Sequence, residues 1–258
     1  MIQFPLLRTQ RLEIQLQELT IGDEIALCQF PEWAHEQSLS AFLQRVVAKA
    51  NPLLADGSPD PRAWSVGERL LVLAHYCIRT REDGPDFPLA GTYPLSRYLA
   101  RAQDWQAAPS FEAIGDTWTL QPLSGAAAEA LEAAQAGRVH WVMGAMAAQL
   151  MRTQDQDRPD PVKHFEGYQT WLTRRIATME RLSSSDFTIL FDAFIQAQQT
   201  QFQFFKTWFD DSGVIILPKE AGSEAPPARF LVTSHLGEAA LSIAGKSCGI
   251  AGELVSTI

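Results

Sequence analysis

Residues Ser65 to Arg81, SVGERLLVLAHYCIRTR, decide how the chain reads. Ser65 with Glu68 three residues on has the Ser-x-x-Glu form of a capping box, in which hydroxyl and carboxylate reciprocally satisfy backbone N–H groups at a helix start. From Leu70 to Ile78 only His75 is not apolar. A helix with so little polar face is expected to be covered on nearly all sides. The spacing therefore predicts a central helix around which the N-terminal half is packed.

On the N-terminal side, Leu12 to Leu16 alternate apolar and polar with the period of a half-buried strand, and Thr20 to Asp23 open a short helix that Pro31 ends. Leu39, Phe42, Leu43, Val46, Val47 and Ala50 then recur at helical spacing, which predicts an amphipathic helix from His35 to about Ala50. The prolines and Asp-Gly of NPLLADGSPDPRAW forbid regular structure before Ser65. On the C-terminal side, Gly115-Asp116 separates two alternating runs, 111–114 and 118–120. They read as a hairpin able to share a sheet with the N-terminal strand.

Beyond Leu120 the pattern turns helical. Ser124 caps an alanine-rich helix, His140 to Thr153 reads as another, and Asp160-Pro161 opens a long helix to about Leu182. A further helix from Ser185 carries Phe187, Phe191, Phe194, Phe202, Phe205, Trp208 and Phe209 and stops at Asp210-Asp211-Ser212-Gly213. Phe202, Phe204 and Phe205 cannot all face inward from one helix, which makes them candidate partner contacts. Gly213 to Leu217 and Arg229 to Thr233 read as strands flanking a Pro/Gly/Ala/Glu-rich linker. The closing glycine-rich segment gains little by folding alone. Its apolar residues Leu236, Ile243, Ile250, Leu254 and Ile258 are expected to meet a partner or a neighbouring copy.

The expected fold is thus α+β and predominantly helical: a helical bundle core, a small antiparallel sheet with hairpins, and an extended C-terminal tail. Three regions follow: residues 1–122 around the central helix, a helical region at 123–218, and a linker with contact segment at 219–258.

Bulk properties narrow the function. Thirty acidic against twenty-one basic residues give a net charge of −9, which argues against nucleic acid as partner. No segment approaches the roughly 18 apolar residues of a membrane span, and the N-terminus lacks a signal-peptide pattern. Synthesis in a cytosol without membrane insertion is expected. Cys28, Cys77 and Cys248 are odd in number and widely spaced, reading as buried hydrophobes and not as a disulfide framework.

The short chemical motifs all fail on spacing. His35-Glu36 would need a second histidine at position 39, which is Leu39, to bind zinc. Ala244-Gly245-Lys246-Ser247 ends like a phosphate-binding loop, but its first required glycine is Ala240. Asp155, Asp157, Asp160 and Glu166 imitate a calcium loop whose turning glycine is replaced by Asp160 between two prolines. His75, Tyr76 and Cys77 point in different directions around one helix, and Thr233-Ser234-His235 lacks a strand-to-helix elbow. No catalytic residue, metal or cofactor is expected.

The order TQRLEIQLQELTIGDEIALCQFP, then PRAWSVGERLLVLAHYCI, HWVMGAMAAQLMR and ARFLVTSHL resembles a group of tailed-bacteriophage virion proteins encoded among tail and baseplate genes. The resemblance implies a non-enzymatic structural subunit of the tail or baseplate. Its partners would be other tail proteins and copies of itself, its place the virion, reached through the host cytoplasm. A non-virion tail-assembly chaperone is the second reading and an uncharacterised enzyme the third.

Overall fold

Leu16-Gln17-Glu18-Leu19-Thr20 and Leu120-Gln121-Pro122-Leu123-Ser124 form the same corner twice. In the computed structural model, which describes residues 2–54, 57–100, 108–155, 157–201 and 204–246, each leaves a strand and enters an eight-residue helix. Thr20 caps the first by accepting from the Asp23 amide, and Ser124 caps the second by accepting from the Ala127 amide.

The first unit runs β1 (Leu7–Arg8), β2 (Leu12–Leu16), α1 (Ile21–Cys28), α2 (His35–Val46), β3 (Val47–Pro52) and α3 (Val66–Thr80). After a two-strand hairpin, β4 (Pro88–Ala90) and β5 (Tyr93–Pro94), the succession returns. It comprises β6 (Ser110–Ala113), β7 (Asp116–Leu120), α4 (Gly125–Glu132), α5 (Gly137–Gln149), β8 (Leu150–Arg152) and α6 (Phe165–Met179). Both sheets are antiparallel with the strand entering from the second helix on one edge: β1-β2-β3 and β6-β7-β8. The Gln17 amide donates to the Val46 carbonyl at 2.8 Å, and the Gln121 amide to the Gln149 carbonyl at 2.8 Å. Pro59-Asp60-Pro61 and Pro159-Asp160-Pro161 recur in the loops before α3 and α6. Each aspartate accepts from the backbone amide two residues on, at 2.8 Å. Residues 7–80 and 110–179 thus share one order and pairing of elements, two units in succession.

The second unit is followed by α7 (Ser184–Thr200), the hairpin β9 (Lys206–Asp210) and β10 (Gly213–Leu217), and the short helix α8 (Glu238–Ile243). The hairpin packs on α5, where Trp141 and Phe209 stack at 5.9 Å, and α8 packs on α1. The two units join through backbone. The Val66 amide donates to the Leu123 carbonyl and the Gly125 amide to the Trp64 carbonyl, both at 2.9 Å, so the entrances of α3 and α4 lie side by side. One cluster of buried side chains runs from Phe4 to Leu241 through both units.

These findings correct several expectations. The protein is a mixed α/β structure, 44% helix and 19% strand, with eight helices and four small antiparallel sheets among the described residues, and it has no helical-bundle core. The helix expected to reach Ala50 ends at Val46, because the β-branched pair Val46-Val47 leads into the strand that pairs with β2. Likewise the helix expected through Thr153 ends at Gln149 and becomes β8. The aromatic helix stops at Thr200, and Trp208 and Phe209 belong to a hairpin turned by Asp210-Asp211-Ser212-Gly213. Gly213 there has a φ of 131°, which an L side chain rarely adopts. The 111–120 hairpin pairs with β8 and not with the N-terminal strand, and Arg229 to Thr233 contains no strand. The central helix keeps its expected place: Ser65 and Glu68 form the capping box, and nine of its residues, Val66 through Cys77, are buried.

Candidate functional site

A cleft of about 990 Å³ opens where the units meet. Its walls come from the β1–β2 turn (Arg8 to Arg11), the first turn of α3 (Ser65 to Glu68), the corner Gln121 to Ser124, the loop Arg158 to Val162, and the end of α7 with β9. The size lies at the upper end of the range for small-molecule sites and gives room for several residues of a chain.

Most of its polar groups are amides and hydroxyls held in place by the fold. Gln149 Nε2 donates to the Gln121 carbonyl at 3.1 Å, Gln198 Nε2 to Gln149 Oε1 at 3.2 Å, and Gln201 Nε2 to the Leu120 carbonyl at 3.5 Å. Ser65 and Ser124 serve as helix caps. Among the cleft's charges, Arg8 pairs with Glu13 at 2.5 Å and Arg11 with Glu68 at 3.6 Å. Asp160 Oδ1 accepts from the amides of Val162 and Lys163, which pulls its carboxyl below the usual range. Arg158 lies 5.6 Å from the ring centroid of Tyr168 and 5.8 Å from that of Trp171, a cation–π arrangement.

Beneath the cleft is a buried charge network linking the units. Arg69, wholly buried, donates to Glu36 Oε2 at 2.7 Å and to Ser40 Oγ at 2.7 Å. Ser40 in turn bonds Glu129, which also receives Arg62 at 2.8 Å. Glu132 accepts from the backbone amides of Glu36 and Gln37 at 2.7 and 3.1 Å. Ala34 provides no side-chain cap for α2, so α4 caps it from outside. Burial, with the nearby charge of Glu36 second, pushes the Glu132 carboxyl up to about 7, and burial raises Glu36 as well. Burial, seconded by Arg229, holds His35 down at about 4. The desolvation cost of such a network makes it a device of register more than of net stability.

The expected contact residues scatter. Phe205 is buried in the core, edge-on to Phe230, and Leu236 is buried too. Phe204 is half-buried and lines the cleft, while Ile243 on α8 is 65% exposed. Phe202, Ile250, Leu254 and Ile258 lie outside the described residues, as does Cys248. Cys28 and Cys77 are buried free thiols.

The failed motifs find other uses. Glu36 is the partner of Arg69, and Asp155 bonds Arg152 and Arg175. His235 packs edge-on against Phe87 and Phe230, with Arg81 on its Nδ1. Among the described residues no group of three or more His, Cys, Asp or Glu is placed to hold a metal, and no helix is long and apolar enough to cross a membrane. The cleft itself was not legible as a site. Its signal was the repeated Leu-Gln-x-Leu-Ser/Thr and Pro-Asp-Pro motifs, which mark two of its walls.

No family model, curated protein or solved structure matches the chain.

Proposed function

We propose that the protein is a structural subunit of a bacteriophage tail or baseplate, acting through protein–protein contacts within a symmetric assembly and not through catalysis. The observation that carries this reading is the cleft between the two units. Its glutamine amides are fixed against backbone carbonyls and its walls bear three prolines, Pro122, Pro159 and Pro161, a lining suited to holding polypeptide. The resemblance of the sequence supplies the biological setting. Neighbouring tail proteins and further copies of the chain are the proposed partners, the virion tail its place.

The same cleft also favours a second reading, a tail-assembly chaperone that holds a client segment and leaves before the particle is complete. Quantitative mass spectrometry of purified particles separates the two. A fixed ratio of a few to a dozen copies per particle relative to the major tail-tube protein is expected of a subunit. Absence from particles, with presence in infected-cell extracts, would overturn that reading in favour of the chaperone.

A further inference from the structure

Of the three arginines that line the cleft, two are matched to carboxylates of the chain itself, Arg8 to Glu13 and Arg11 to Glu68. Arg158 pairs with no carboxylate among the described residues, in a protein whose net charge is −9. Its Nε is buried without a hydrogen-bond partner. The nearest cleft acid in sequence, Asp160, is committed to the amides of its own turn. The Arg158 guanidinium carbon sits 5.6 Å and 5.8 Å from the ring centroids of Tyr168 and Trp171, a cation–π contact that restrains the side chain, and a restrained guanidinium can receive a carboxylate through two parallel hydrogen bonds.

We propose that the cleft binds an extended segment of a partner protein by an acidic side chain, with Arg158 as the carboxylate anchor. The partner's being a polypeptide rests on the contact-protein reading above; the carboxylate specificity rests on Arg158 and the cleft. The neutral lining sets the rest of the preference. Gln201, whose Nε2 reaches the Leu120 carbonyl at 3.5 Å, presents its amide along the wall to the backbone of an extended chain, and the half-buried Phe204 provides apolar contact beside it. A single small acid would occupy a fraction of about 990 Å³ and leave these groups without use.

The test is affinity selection on the immobilised full chain with two pools of blocked nonapeptides, randomised at eight positions and carrying Glu or Gln at the centre. Free glutarate serves as a third probe. The Glu-centred pool is expected to be retained at least tenfold over the Gln-centred pool. The preference should disappear at 0.5 M NaCl, in Arg158→Gln, and in Gln201→Glu, which introduces a competing charge without touching Arg158. Circular dichroism of both variants should match the parent. Equal retention of the two pools, retention of neither, or undiminished preference in Arg158→Gln would overturn the proposal. Glutarate binding without peptide retention would replace it with a small-acid site. Peptide selection in a chain absent from virions would leave the anchor standing and remove the subunit reading, so the two failures are distinguishable.

Discussion

The guanidinium of Arg69 lies directly against Gly125: a Cβ at that glycine would fall 2.2 Å from Arg69 Nη1 and 2.6 Å from its Cζ. The contact joins α3 of the first unit to the first residue of α4 in the second, at the point where the Gly125 amide also donates to the Trp64 carbonyl. Glycine is there for room and not for backbone freedom. Arg69 has nowhere to retreat, being wholly buried and bonded to Glu36 and Ser40. Gly125→Ala should therefore destabilise the protein by about 2–4 kcal/mol, as overpacking and a displaced buried ion pair act together. Urea unfolding of the two proteins measures it, and a loss under 0.5 kcal/mol would refute the account.

Removing the cation is expected to cost more than crowding it. Arg69→Ala leaves Glu36 buried without its partner, a loss of about 3–5 kcal/mol. The double variant Arg69→Met with Glu36→Leu should recover most of it, since a matched apolar pair carries no stranded charge. A double variant no more stable than Arg69→Ala would show that the network does more than balance charge.

Glu132 gives the fold a pH dependence of defined sign. Its carboxyl is raised in the folded protein to about 7 from an ordinary 4.5, so the folded state holds the proton more tightly than the unfolded one. The associated stability is complete below about pH 4.5 and is lost as pH rises through 7, to an extent of order 3 kcal/mol. His35, held down at about 4, acts oppositely: its contribution is lost as pH falls from 6.5 toward 4. Chemical denaturation from pH 5 to 8.5 should show a nearly level profile in the parent, where the two contributions oppose each other, and stability rising with pH in Glu132→Gln, where only the His35 contribution remains. Parallel profiles would exclude Glu132 as the cause.

Gly144 on α5 offers a milder version of the Gly125 experiment. A Cβ there would meet Leu131 Cδ2 at 2.1 Å, but that atom is the end of a flexible side chain. Gly144→Ala should cost about 1 kcal/mol or less, partly repaid by helix propensity, and Gly144→Ala with Leu131→Val should be close to neutral. A large loss in the double variant would mean that α4 and α5 cannot adjust.

How much of this was legible in sequence depends on range. The capping box of Ser65 and Glu68, the buried thiols of Cys28 and Cys77, and the β6–β7 hairpin rest on local signals, and each appears in the structure. The helix-to-strand switches at Val46-Val47 and Gln149-Leu150 were not legible. The apolar spacing continues across them, and only pairing with β2 and β7, some thirty residues back, decides the conformation. The internal repeat was written plainly at two places but without a constant period. The corner motif recurs after 104 residues and Pro-Asp-Pro after 100, as the loops drift in length while Leu27 and Leu131 keep the same buried place. The cleft lies between the repeats, so a reading that did not see two units had no reason to look between them.

A chain that holds two like units counts twice around an axis where the rotation between its units is half the step between neighbouring chains. A ring of n such chains displays 2n corners of the Leu-Gln-x-Leu-Ser/Thr type, alternating between Thr20 with its exposed neighbour Ile21 and Ser124 with its buried neighbour Gly125. To a neighbour that reads only the shared shape, the ring has twice its true order; to one that reads the differences, it has n. In the proposed assembly, two like but unequal units on one chain would let it stand between layers of unlike rotational order, without a second protein to mediate the mismatch.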